Sequence, residues 1–203
     1  LFIGRPSPPA LSKEMKRAYY ASTSFMDAQV GRVMEALKRN NLEENTIVVF
    51  FGDHGYHLGE KGKWSKAYSL YELGLRVPLI IALPKGKAQH STQVVELVDL
   101  YKTLADLCGL PAPQGIEGNS LTPLLKNPAA NWDQPAYALV EYQRKTGKSV
   151  RTKKFHYVEW DEGKAGAMLF KHPDDPHELK NLADDPAYAS VIKEMKILLK
   201  KRL

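Results

Sequence analysis

A single cysteine, Cys108, stands among 203 residues, which excludes an internal disulfide and any metal site built from paired cysteines within the chain. Its surroundings, Leu107-Cys108-Gly109-Leu110-Pro111, read as a helix end with a small apolar residue in a structural role. No apolar stretch approaches the roughly 20 residues that span a bilayer, so the sequence predicts no membrane span. Internal repeats, low-complexity tracts and zinc-finger spacing are likewise missing. Basic residues are scattered apart from Lys153-Lys154 and Lys196 to Arg202, so a net charge of +6 favours anionic ligands without supporting nucleic-acid binding. The opening Leu1-Phe2-Ile3-Gly4-Arg5-Pro6 has neither the basic start nor the apolar core of a signal peptide, and the sequence reads as beginning inside a longer protein.

What is present is the composition of a folded domain, 43% hydrophobic and 26% charged. From Ser12 to Asn40 the pattern is helical: Met26, Val30, Val33, Met34 and Leu37 fall on one face, and Asn40-Asn41 ends the run. Thr46 to Phe51 follows as a β-branched and aromatic run, predicted as a strand buried on both faces. Val77 to Leu83 is a second such strand, with Pro78 near its start and Pro84 at its end. Val94 to Leu107 returns to helical spacing, and Gly109 supplies the C-terminal cap. This alternation predicts a layered α/β fold. Beyond Pro111 the chain becomes rich in Pro, Gly and Asn. Short strand-like runs then follow at Ala136–Tyr142, Ser149–Thr152, Phe155–Trp160 and Ala167–Phe170, predicting a small antiparallel sheet closed by a helix from Tyr188 to Leu203. The predicted division is 1–128 for the α/β part and 129–203 for the sheet and helix.

Chemistry concentrates just after the first strand, in Gly52-Asp53-His54-Gly55-Tyr56-His57-Leu58-Gly59-Glu60-Lys61-Gly62-Lys63-Trp64-Ser65-Lys66. Ligand sites in open α/β sheets form beyond the carboxyl ends of strands. Asp53 and His54 together suit a divalent cation, although an Asp after a strand also serves simply to hydrogen-bond a turn. Lys66 lies thirteen positions beyond Asp53, past three glycines that let the loop fold back. Returned there, its ammonium can neutralise an anion or protonate a leaving oxygen; left outside, it is a solvated surface charge. Tyr56 and His57 offer donors to the same pocket. Trp64 either walls it or packs in the core, and Glu60 is expected to pair with a lysine of the loop.

The order Asp-His-Gly-Tyr-His-Leu-Gly-Glu-Lys-Gly-Lys-Trp-Ser-Lys, followed by Arg76-Val77-Pro78-Leu79-Ile80, resembles the sulfatase family, nearest its iduronate-2-sulfatase-like branch. The likeness continues in Tyr20 to Asp27, Val98 to Leu104, Gly115 to Leu125, Val150-Arg151-Thr152 and Asp175-Pro176-His177-Glu178-Leu179-Lys180-Asn181-Leu182-Ala183, covering most of the chain. The resemblance implies part of an alkaline-phosphatase-like α/β/α sandwich with a smaller C-terminal antiparallel subdomain. It implies Asp53 and His54 as ligands of an active-site calcium ion, Lys66 as a catalytic contact to the substrate sulfate near its leaving oxygen, and Tyr56 and His57 as substrate-binding residues. The nucleophile it implies is a formylglycine made from a Cys/Ser-x-Pro-x-Arg motif, which this chain does not contain, since Cys108 is followed by Gly109-Leu110-Pro111. The partners implied are a sulfated small molecule or glycan and the missing N-terminal part of the same protein, in a periplasmic or secreted setting. A phosphodiesterase or phosphonate hydrolase of the same superfamily, and a non-catalytic polyanion-binding module, remain alternatives.

Overall fold

A computed structural model describes residues 6–202; the opening segment from Leu1 to Arg5 and the last residue of the predicted terminal helix, Leu203, lie outside the described residues. The chain forms two compact units, Leu1–Lys87 and Ala88–Leu203. The compositional boundary at residue 128 therefore falls inside the second unit.

In the first unit, helix α1 spans Pro9–Arg39 with Pro9 at its first position, where the missing amide hydrogen is not needed. It ends where expected: the Asn40 side chain donates to the carbonyl of Ala36 at 2.8 Å. Its apolar face is not buried as the periodicity predicts. No residue of α1 is buried, and Phe25 and Val33 are 70% and 67% exposed. A ring contact links the helix to Tyr56, with the Tyr19 and Tyr56 rings 5.4 Å apart.

Strand β1, Val48–Phe51, pairs antiparallel with β2, Leu79–Ala82, with Val48 opposite Ala82 and Phe51 opposite Leu79. A single-turn helix, α2 (Glu72–Leu75), lies between them in sequence. The expectation of strands buried on both faces needs correction. These two strands form a two-stranded sheet of their own, and Phe51 and Ile80 are exposed. β-branched runs report pleated-surface preference, while burial depends on whether other layers cover both faces.

The second unit opens with helix α3, Asp99–Leu107. It starts five residues later than periodicity predicts, and Asp99 in its first turn anchors the entry: its carboxylate, almost fully buried, accepts from the amides of Glu96 (2.8 Å) and Asn119 (2.7 Å). The C-terminus is the predicted one. Gly109 takes a left-handed φ of +65°, its amide bonds Asp106 and the amide of Leu110 bonds Ala105 at 2.9 Å, a Schellman arrangement. Cys108 stands at that helix end with its side chain exposed. A five-residue helix, α4 (Thr122–Lys126), appears where the sequence reads only as irregular; Pro123 enters its first turn and Leu124 is buried.

Strands β3 (Ala136–Tyr142), β4 (Lys145–Arg151), β5 (Phe155–Trp160) and β6 (Ala167–Lys171) form an antiparallel meander in that order. β4 begins four residues before its predicted start. Its connection to β3 is the two-residue turn Gln143-Arg144, both at positive φ, a hairpin geometry that normally advertises itself with Asn-Gly. Helix α5, Ala189–Arg202, lays Met195 and Leu199 against Val150, Tyr157, Leu169 and Leu182, the principal buried apolar cluster.

Replacing Leu199, 2% exposed, by Ala should lower the unfolding free energy of the 203-residue chain by about 2–5 kcal/mol. Val33→Ala on the uncovered face of α1 should change it by no more than about 0.5 kcal/mol. Urea denaturation of both variants checks the contrast.

Candidate anion and metal site after β1

β1 runs directly into the chemistry-bearing loop. The amide of Gly52 continues the ladder by donating to the Pro78 carbonyl at 3.2 Å, which sets Asp53 just past the strand's carboxyl end. Gly55 then makes a backbone approach that no other residue tolerates. Its amide donates to the Gly74 carbonyl at 3.0 Å, and an added Cβ would lie 2.1 Å from the carbonyl oxygen of Leu73. Gly59 and Gly62, both at positive φ, turn the loop back, and the Gly59 amide donates to Lys63 at 2.9 Å.

The return brings Lys66 to Asp53. Lys66 Nζ donates to Asp53 Oδ2 at 2.7 Å, with both side chains substantially exposed. The ammonium, through its hydrogen bond and its charge, holds the Asp53 carboxyl below the usual carboxylate value. Asp53 is thus ionised at neutral pH, as a cation ligand must be. His54 follows with its Nδ1 3.1 Å from the Gly55 carbonyl.

The remaining predicted pocket residues take supporting positions. Tyr56 donates through its hydroxyl to the Trp64 carbonyl at 3.1 Å. His57 is fully buried, its Nε2 2.7 Å from Ser69 Oγ, and this hydroxyl in turn accepts from the amide of Tyr71. Trp64, 2% exposed, is a core residue, and its indole N–H donates to Ser7 Oγ at 3.0 Å. The expectation that Glu60 pairs with a lysine is corrected. Its carboxylate accepts from the Leu58 amide at 2.6 Å, a local turn bond, while Lys61 lies over the ring of Tyr71 at 5.1 Å. Ser69 was missed at the sequence level, since a lone serine outside any motif carries no signal.

Asp53 and His54 supply a carboxylate and an imidazole. Calcium takes about six to eight oxygen ligands, which the Asp53 carboxylate suits and the His54 imidazole suits less well, and two residues would fill only part of such a shell. An imidazole is also at home with zinc or manganese.

A carboxylate and a lysine are thus folded together just past the end of a strand. The sulfatase family model matches residues 5–110, and the model for the C-terminal part of N-sulphoglucosamine sulphohydrolase matches residues 59–203. The chain belongs to the sulfatase family. It is 35% identical over 192 residues to a sulfatase of Formosa agariphila, covering 93% of this chain and 36% of that protein. It is 37% identical over 134 residues to mouse iduronate 2-sulfatase, covering 53% of this chain and 24% of that protein. The structure superposes with a TM-score of 0.83 and 30% identity on a protein solved in complex with its substrate D-glucosamine-2-N,6-O-disulfate, covering 98% of this chain and 43% of the other. This chain therefore spans about a third or less of these curated relatives. Among the described residues no helix is long and apolar enough to cross a membrane.

Because the Asp53 pKa is depressed in the folded chain, the Lys66 contact favours folding above the carboxyl's unfolded pKa and is lost as pH falls through the folded one. NMR titration of the Asp53 carboxyl should give a midpoint below the ordinary 3.8, moving back toward it in Lys66→Met. An unchanged midpoint in that variant would show that the ion pair does not form in solution.

Proposed function

We propose that this chain is the C-terminal portion of a sulfatase that hydrolyses sulfate esters of sulfated sugars, and that it contributes part of the cation shell and the lysine of the active site. The observation that carries this reading is the 2.7 Å contact of Lys66 Nζ with Asp53 Oδ2 beyond the end of β1. Lys66 contacts the sulfate near its leaving oxygen and offers it a hydrogen bond or a proton as the ester bond breaks. Asp53 keeps that ammonium aimed. A lysine left free on a flexible stem would lose much of this orientation.

Asp53 and His54 would hold part of the shell of a divalent cation, proposed as calcium, which when bound would supply positive charge to the sulfate. The formylglycine nucleophile lies outside this chain. Tyr56 shapes the pocket wall through its bond to the Trp64 backbone. His57, buried on Ser69, supports the substrate side of the loop from behind. The relatives named for iduronate 2-sulfatase and the structure bound to a glucosamine disulfate support a sulfated glycan as substrate. A periplasmic or secreted location accords with that class of substrate.

In the full-length enzyme, Lys66→Ala should lower kcat by about 10²–10⁴-fold on a sugar sulfate. It should do less damage on 4-nitrophenyl sulfate, whose leaving group needs no proton. Equal losses on both would assign Lys66 to sulfate binding, and no loss on either would remove it from the mechanism. The 203-residue chain alone should turn over neither substrate.

A further inference from the structure

The second unit holds a cluster of titratable side chains far in sequence from the sulfatase site. His156 lies on β5, opposite Phe170 of β6 in the ladder. His172 follows the end of β6, where its amide donates to the Lys154 carbonyl at 2.9 Å. Glu178 comes from the turn beyond. Asp175 secures that turn by accepting from the amides of Leu179 (2.9 Å) and Lys180 (2.8 Å), and Glu178 itself adopts a left-handed φ of +55°.

The three side chains converge on one point. Glu178 Oε1 lies 2.5 Å from His156 Nδ1 and 3.0 Å from His172 Nε2. Exposure is 0% for His156, 2% for Glu178 and 8% for His172, and a donor atom from each falls within 4.8 Å of the others. A buried carboxylate is costly unless positive charge or several donors compensate it. The second nitrogen of His156, Nε2, is buried and has no hydrogen-bond partner among the described residues.

We propose that His156, His172 and Glu178 form a second binding site, for one divalent cation of the zinc class, independent of Asp53 and His54. Two imidazole nitrogens and one carboxylate oxygen are a donor set that zinc and cobalt favour over calcium. Metal–ligand bonds of about 2.0–2.2 Å place tetrahedral donors roughly 3.4 Å apart, so the observed spacing is that of proton-bridged pairs. A cation enters by taking the lone pairs of the facing nitrogens as their bridging protons move to the opposite ring nitrogens or leave to solvent, while the donors part by less than about 1 Å. Bound there, the ion pins the turn carrying Glu178 to strands β5 and β6.

The test uses the complete 203-residue chain, stripped with a chelator and titrated with Zn2+ by calorimetry and with Co2+ by visible absorption. One equivalent of Zn2+ should bind at micromolar concentration, and Co2+ should give the intense bands of a tetrahedral site. His172→Gln should weaken binding by at least about tenfold, whereas Asp53→Asn should leave it unchanged. If His172→Gln fails to fold, the assigned imidazole C–H resonances of the unaltered chain decide: Zn2+ should shift those of His156 and His172. Absence of binding at micromolar Zn2+, loss of the equivalent in Asp53→Asn, or shifts confined to the other four histidines would overturn the proposal.

Discussion

The site depends on one close approach of backbone to backbone. Gly55 donates to Gly74 at a point where a side chain would collide with the Leu73 carbonyl, and this pins the first turn of the loop to the segment just before β2. With that turn fixed, Asp53 stands exposed past the end of β1, and the rest of the loop returns Lys66 to it. Buried Trp64 and the His57–Ser69 bond hold the return path from below. Exposed charges would otherwise gain little from pairing, because side-chain entropy and water screening oppose a surface ion pair. Here the scaffold bears the ordering, so the geometry of the pair belongs to the loop and not to the charges themselves.

The second unit is built around a different constraint. β5 is one of the two inner strands of the meander, and its Tyr157 and Val158 are both fully buried. Burial pushes the Tyr157 phenol up, as does its hydrogen bond to Glu159, so that hydroxyl stays protonated and acts as a fixed donor. The Asp175 to Ala183 segment is clamped to β6, with Asn181 Oδ1 accepting from the amides of Leu169 (2.9 Å) and Ala183 (3.0 Å). Residues that carry the family likeness near the C-terminus therefore do structural work: they fold a turn back onto a sheet edge.

Much of this was legible in residue order. Three of the four meander strands were placed to within a residue, because their apolar runs are bounded by breakers, and the Gly109 cap follows from a helix needing a left-handed exit. Asp53, His54 and Lys66 stood out through their place after a strand and through glycine spacing; the structure brings Asp53 and Lys66 together and leaves His54 beside them. What periodicity could not supply was which faces are covered. Phe25 and Val33 of α1 and Ile80 of β2 look like core residues by pattern, yet they are exposed in this chain, since burial belongs to the layers that pack on a face. α4 and the start of β4 were missed because Gln143-Arg144 lacks the usual turn residues, and because a five-residue helix is too short for a period to show. The pairing of His156 with Glu178 crosses 22 positions, beyond the reach of any local pattern.

The central claim is that this chain is part of a working sulfatase, and the most direct measurement is the coding sequence upstream of Leu1. A catalytic parent protein should carry a Cys/Ser-x-Pro-x-Arg motif there, with an acidic pair nearer the start that would share the cation proposed for Asp53 and His54. A full-length protein lacking that motif would contradict catalysis and leave a sulfatase-like frame retained for binding anions.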